Sequence, residues 1–197
     1  MARAKNVIHA VELETDRFNL VPIRPLSLVW PTWHWTKDRE SFASLGWRTS
    51  GWTPRRWWRH LRHQVQRNRM CHGIWLKQGG TCIGLHVASV SVGARSAFVG
   101  VIVGERDWWA KGVVAEVRSA ILDDCFTRLK LERVGAQVQA RNLASVYNHR
   151  RLGFTHEGTL RSAGIDRDGS RVDMLMFGML REEWMARREH RDGDGRL

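Results

Sequence analysis

Cysteine, lysine and long apolar runs are scarce in this chain, and the shortage of cysteine and of apolar runs each closes off a class of protein. Only three cysteines occur in 197 residues, Cys71, Cys82 and Cys125, and no two form a Cys-x-x-Cys pair. They lie too far apart for a zinc knuckle and are too few for a disulfide framework, so they read as buried thiols and no metal is expected. No apolar run approaches the roughly 20 residues of a membrane span. The opening Met-Ala-Arg-Ala-Lys-Asn also lacks a signal peptide's apolar segment. A cytoplasmic protein with no membrane partner is expected. Repeats and low-complexity segments are missing too. Five lysines stand against 27 arginines within a net charge of +12, a bias toward Arg.

At 197 residues the chain fits one domain, long enough to bury roughly two-thirds of its unfolded surface in one core. The expected division is a flexible N-terminus over 1–10, a single domain over 11–190 and a disordered tail over 191–197. Charge is uneven: Arg48 to Arg69 holds seven arginines, two histidines and no acidic residue. Such a stretch either faces a polyanion or forms a solvated helix face. Seven of the eleven tryptophans fall between Trp30 and Trp58. Tryptophan at helical spacing is usually core, which points Trp57 or Trp58 inward.

Strands and helices alternate along the chain. Residues 17–23 read as a strand and 26–45 as helical in part. Thr53-Pro54 gives an N-cap with proline at the first helical position, opening a helix to about residue 67. Residues 70–77 and 81–92 form a hairpin turned by Gln78-Gly79-Gly80, and 97–103 is a central strand. A long helix is expected over 109–129, with Val113, Val117, Ala120, Ile121 and Cys125 on one stripe. There follow a strand at 132–140, a helix at 143–152, a hairpin of 154–165 with 171–180, and a short helix at 181–190. A mixed sheet with helices on both sides makes an α/β or α+β sandwich.

The segment from Val99 to Val117 runs a buried strand into a glycine-containing turn and then a helix. The first turn of a helix has N–H groups without intrahelical partners and the positive end of the dipole, so this is the architecture of an anion site. Neither the P-loop spacing Gly-x-x-x-x-Gly-Lys-Ser/Thr nor a Gly-x-Gly-x-x-Gly follows the strand. Trp109-Ala110-Lys111-Gly112-Val113-Val114 instead resembles the Arg/Gln-x-x-Gly-x-Gly/Ala loop of GNAT-superfamily N-acetyltransferases. Arg141-Asn142-Leu-Ala-Ser145-Val-Tyr-Asn-His149-Arg-Arg-Leu-Gly153-Phe154 is similar to that family's Asn-x-x-Ala/Ser segment ending in Gly-Phe. Glu157-Gly158-Thr159-Leu160-Arg161, Asp168-Gly169 with Asp173, and the opening Leu13 to Leu20 with Arg24-Pro25-Leu26 follow the branch that holds the ribosomal-protein N-terminal acetyltransferases. The matches run from about residue 12 to residue 184 and leave only the Trp/Arg-rich region 27–69 without clear motifs.

The resemblance implies the GNAT fold: a mixed, mostly antiparallel sheet of about seven strands, splayed at the middle, with helices on both faces. It implies acetyl-CoA as acyl donor, with the pantetheine arm pairing along the splayed strand at Ile102, Val103 and Gly104. The pyrophosphate would meet the N–H groups of Ala110, Lys111, Gly112, Val113 and Val114. Two departures bear on binding: Trp109 removes the usual side-chain donor, and Val114 narrows the turn where the family has a small residue. Asn142 is expected on the pantetheine amides.

Acetyl transfer needs a neutral amine and a proton returned to the CoA thiolate. The strand position where many relatives carry a base holds Ala97 and Phe98. His86 on the neighbouring strand is one substitute, acting directly or through a water, unless it is a satisfied strand histidine. For the acid the family often has tyrosine, and this chain has His149 there; Ser145, one helical turn earlier, is the alternative. The bland alternative to the acid role is that His149 is merely a helix-surface residue. Trp33, Trp57, Arg55 and Arg56 suit an aromatic or anionic acceptor, such as a nucleotide-linked amino sugar or an acidic peptide N-terminus. The competing reading from another class is a non-catalytic CoA-binding or nucleic-acid-binding module built on 48–69, where arginines track phosphates and tryptophans stack on bases. A loop of cofactor type argues against nucleic acid as the partner, and a homodimer stays open.

Overall fold

Alternation of apolar and polar residues, broken by glycine turns, sets the strands of this protein. The structure is a computed structural model that describes residues 8–39, 42, 50–66, 68–166 and 168–194. One eight-stranded sheet is built from β1 (Leu13–Glu14), β2 (Phe18–Pro22), β3 (Arg69–Leu76), β4 (Cys82–Ser91), β5 (Ser96–Val103), β6 (Arg133–Gln139), β7 (Thr155–Ile165) and β8 (Arg171–Leu180). Their spatial order is β1-β2-β3-β4-β5-β6-β8-β7, and every pairing is antiparallel except β5 with β6. The helices are α1 (Pro25–Leu28), α2 (Pro54–Gln64), α3 (Val113–Asp123), α4 (Leu143–Leu152) and α5 (Arg181–Asp194). The two-residue β1 beside β2 accounts for the eighth strand.

Two cores flank the sheet. On one face Val113, Val117 and Ile121 of α3, Val146 of α4 and Trp184 of α5 pack on Ala88, Val99, Val134, Ala136, Phe177 and Met179. On the other, Leu28, Trp35, Trp57 and Leu61 pack on Cys71, Cys82, Leu85 and Ile102. This second core stops at β5. Thr53 caps α2 as its spacing requires, its Oγ1 accepting from the Arg56 N–H at 3.2 Å with Pro54 at the first helical position. The three cysteines are free and buried, as expected. No helix among the described residues is long and apolar enough to cross a membrane.

Three boundaries differ from the sequence reading. The helix expected from residue 109 begins at Val113, because Ala110 (φ 58°) and Gly112 (φ 75°) adopt left-handed conformations that a helix cannot continue through. A 3₁₀ turn, Arg106–Trp108, precedes it, and a π-helical turn, Asp124–Arg128, ends it. Within 26–45, read as helical in part, the structure describes α1, a 3₁₀ turn at Trp33–Lys37 and helical Arg39 and Phe42, with 40–41 and 43–49 outside the described residues. Helix α5 runs on to Asp194, through part of the expected tail, while 1–7 and 195–197 lie outside the described residues. Ile8 and Ala10, inside the stretch read as a flexible N-terminus, are half-buried against the first core.

Candidate active site

A notch opens where β5 and β6 part. They pair in parallel only from Ser96–Phe98 against Arg133–Gly135, whereas β5 stays paired to β4 up to Val103. The Gly104 N–H donates to the Ile83 carbonyl of β4 at 2.8 Å. Backbone groups alternate sides along an antiparallel strand, so Ile102 shares that direction while Val101 and Val103 turn theirs into the notch. Of the three residues expected along a pantetheine arm, only Val103 offers its backbone to the notch. Gly104 has a different reason to be glycine: a Cβ there would lie 2.2 Å from the indole of Trp35, which packs flat on it. The Trp35 Nε1–H and His34 Nε2 both reach Glu105 Oε1, at 2.8 and 2.6 Å, so the strand end is tied to the 3₁₀ turn.

Beyond β5 the chain forms the expected anion cradle. Gly112 is the residue before α3, and its carbonyl accepts the first helical bond from Glu116 N at 3.1 Å, leaving the N–H groups of Val113, Val114 and Ala115 without helical partners. At φ 75° the glycine is required by its backbone and not by crowding, since an added Cβ would sit 3.6 Å from Arg17 Nη2. The cradle is locked from β2. Arg17 donates to Glu116 Oε2 at 2.7 Å and to the Lys111 carbonyl at 2.9 Å, while Thr15 Oγ1 and Arg17 N donate to Glu116 Oε1 at 2.6 and 2.9 Å. Burial alone would raise the Glu116 pKa, but these bonds and the Arg17 charge outweigh it and hold the carboxyl below its ordinary value. Sequence reasoning missed Arg17 and Glu116; an Arg 99 residues before its Glu partner leaves no local signal. Trp109 turns its indole N–H onto the Val103 carbonyl at 2.9 Å, with the Arg106 guanidinium 4.8 Å from its ring.

Helix α4 carries the acid candidates. Asn142 Oδ1 caps the helix by accepting from Ser145 N at 3.0 Å. His149 is 1 % exposed, so it is no surface residue. Its Nδ1 meets the Ser145 carbonyl at 2.7 Å and its Nε2 meets Arg118 Nη1. The carbonyl can only accept and the guanidinium can only donate, so the ring is a neutral Nδ1–H tautomer with both nitrogens used. Burial, then the Arg118 charge, push its pKa down to about 3 against the pull of the Ser145 carbonyl. In this arrangement the ring has no spare proton for a thiolate, which weighs against the acid role expected of His149. Ser145 keeps its hydroxyl out of these bonds.

His86 is likewise an interior residue. It lies fully buried on β4 with His72 of β3 opposite, Nδ1 to Nδ1 at 3.2 Å, and His72 Nε2 reaches the Val11 carbonyl at 2.9 Å. Because Val11 accepts, His72 carries its proton on Nε2 and takes the Nδ1–H of His86. His86 Nε2 is then a buried acceptor without a partner, and Arg118 Nε is a buried donor without one. Burial, then His72 and Arg118, drive the His86 pKa well below its usual value. Arg118, pushed to about 10 by burial, remains a cation among neutral imidazoles. As a base His86 would have to work from inside the core.

The expected acceptor residues do not converge. Trp57 is wholly buried, its indole N–H on Thr32 Oγ1 at 2.9 Å and its ring stacked on His60, so it supports the second core. Trp33 is half-buried beside it. Arg55 and Arg56 are exposed in the first turn of α2, which packs over β3, two strands from the notch. No group of three metal-ligating side chains occurs among the described residues.

Comparison with known proteins places this geometry. Residues 17–155 match the acetyltransferase (GNAT) domain. The chain belongs to the GNAT acetyltransferase family. It is 34 % identical over 79 residues to the uncharacterized N-acetyltransferase p20 of Bacillus licheniformis, a stretch covering 40 % of this chain and 44 % of that protein. A spermidine N-acetyltransferase from Vibrio cholerae, solved with CoA and spermine, superposes with a TM-score of 0.76 at 18 % identity, over 85 % of this chain and 98 % of the other. A ribosomal L7/L12 alpha-N-protein acetyltransferase in complex with coenzyme A gives a TM-score of 0.76 at 16 % identity, over 88 % and 99 %. These likenesses establish the fold.

Proposed function

We propose that this protein transfers the acetyl group of acetyl-CoA to a primary amine of a small molecule or peptide, by direct attack within a ternary complex. The observation that carries the reading is the β5–β6 notch running into the N-terminus of α3 behind a left-handed glycine. A pantetheine arm lying in the notch would pair with the backbone of Val101 and Val103, which β6 leaves open, and the pyrophosphate would take the N–H groups of Val113 to Ala115. The amine nitrogen attacks the thioester carbonyl carbon, the C–S bond breaks as the C–N bond forms, and one amine proton passes to the departing sulfur. With His149 occupied, the Ser145 hydroxyl or a water it orients is the donor to that sulfur. Trp109 must release the Val103 carbonyl for the arm to seat fully.

Acetyl-CoA at a hundredfold its Kd should stabilise the protein by about 2.7 kcal/mol, read as a rise in Tm. Gly112→Asp should abolish the rise, because it places a carboxylate at the cradle and strains a left-handed position. A wild-type rise no larger than that given by free adenosine would refute the cofactor assignment.

A further inference from the structure

On the sheet face opposite α3, several apolar side chains beyond β5 are open to solvent, while Gln139 and Val172 at its far end are buried. Phe98 is 42 % exposed and lies at the mouth of the notch, its ring across Gly135 at 2.9 Å from where a Cβ would be. The cross-strand pairs Gln137 with Met176, Gln139 with Met174, and Met174 with Leu160 continue the same face across β6, β8 and β7. Leu160 is 47 % exposed, and Met174 and Met176 are half-buried. Glycines let these side chains lie flat: a Cβ on Gly164 would sit 2.6 Å from the Met174 sulfur. The result is a low bed of one ring, two thioethers and an isobutyl group, continuous with the notch.

On the β7–β8 hairpin, Glu157 is paired with Arg133 and Asp166 with Arg141, while Asp173 accepts from the Ser162 N–H and Asp168 from the Ser170 N–H. The carboxylate at the bed itself, Glu157, is thus already neutralised by Arg133. The +12 net charge repels a polycation from a distance. A phosphorylated amino sugar lying on this bed would have to desolvate its charge against apolar groups. Thioethers and an aromatic ring instead favour the flat face of another ring.

Resting on the acetyl-transfer reading, we infer that this face is the acceptor bed and that it takes a monoamine borne on an uncharged aromatic or alkyl body. The test uses the full chain at saturating acetyl-CoA, with thiol release measured for 2-phenylethylamine, hexylamine, spermidine and glucosamine 6-phosphate. The two apolar monoamines should show kcat/KM at least tenfold above the other two. Phe98→Glu should lower the phenylethylamine value at least tenfold and raise that of spermidine, with the Tm rise given by CoA retained as proof of fold and cofactor site. Spermidine or the sugar phosphate as best acceptor, or no effect of Phe98→Glu, would overturn the acceptor class and leave the cofactor reading intact. Loss of the CoA effect in the wild type would instead condemn that reading itself. A dimer that Phe98→Glu converts to monomer in light scattering would assign the face to a second copy and overturn the inference.

Discussion

Arg118 decides how the histidines around it behave. A buried guanidinium can only donate, so it turns the lone pair of His149 Nε2 toward itself, and the ring keeps its proton on Nδ1, donating it to the Ser145 carbonyl. His149→Leu should therefore cost about 1.5–3 kcal/mol, the worth of a hydrogen bond to a charged group, measured by urea unfolding. Turnover per folded molecule should barely change. An acid would be worth about 10²–10⁴-fold in kcat, so a loss of that size in His149→Leu would restore the catalytic role. Ser145→Ala should lower kcat with little change in the KM for acetyl-CoA. The sequence placed His149 and Ser145 on one helix face correctly, because i, i+4 spacing is local. It could not say which way that face points: Arg118 lies 31 residues upstream on another helix and reads there as an ordinary surface charge.

At the scale of elements, the cradle is a joint between β2 and α3. Arg17 holds the Lys111 carbonyl and the Glu116 carboxylate together, so the loop's conformation is set before any ligand arrives. Arg17→Ala should raise the Kd for acetyl-CoA by about tenfold, or ~1.4 kcal/mol. Glu116→Gln should be non-additive with it in a calorimetric double-mutant cycle, as partners in one network are. Additive effects would mean that the two residues act apart. Trp109→Phe removes the indole N–H from the Val103 carbonyl and should tighten binding a few-fold, on the scale of one hydrogen bond. Strand and helix boundaries here were legible because glycine, proline and the cap at Thr53 punctuate them. The start of α3 was not, since Ala110 adopts φ 58° and alanine carries no signal for a left-handed turn.

Across the whole molecule, the interior keeps imidazoles uncharged. His60 is lowered to about 4 and His149 to about 3, chiefly by burial, and His72 and His86 are lowered as well. Unfolded imidazoles take up protons near pH 6.5, so below that pH the unfolded chain binds more protons than the folded one. Stability should be whole above about pH 6.5 and fall as pH drops from there toward 4, by up to about 1.4 kcal/mol per pH unit for each buried ring. Urea melts at pH 7 and 5.5 measure it, and equal midpoints would contradict the burial of these rings. The fold itself was legible from ordered segments spread along the chain; the place of 48–69 in it was not, because burial of its tryptophans in the second core and the packing of α2 over β3, two strands from the notch, depend on residues far away in sequence. The central claim is that an acetyl-CoA arm pairs with β5 where β6 leaves it. Amide hydrogen exchange with and without acetyl-CoA tests this most directly. The account predicts slowed exchange at Val101, Val103 and Val113 to Ala115, with α2 unchanged; unchanged exchange at Val101 and Val103 under saturating ligand, or protection confined to α2, would contradict it.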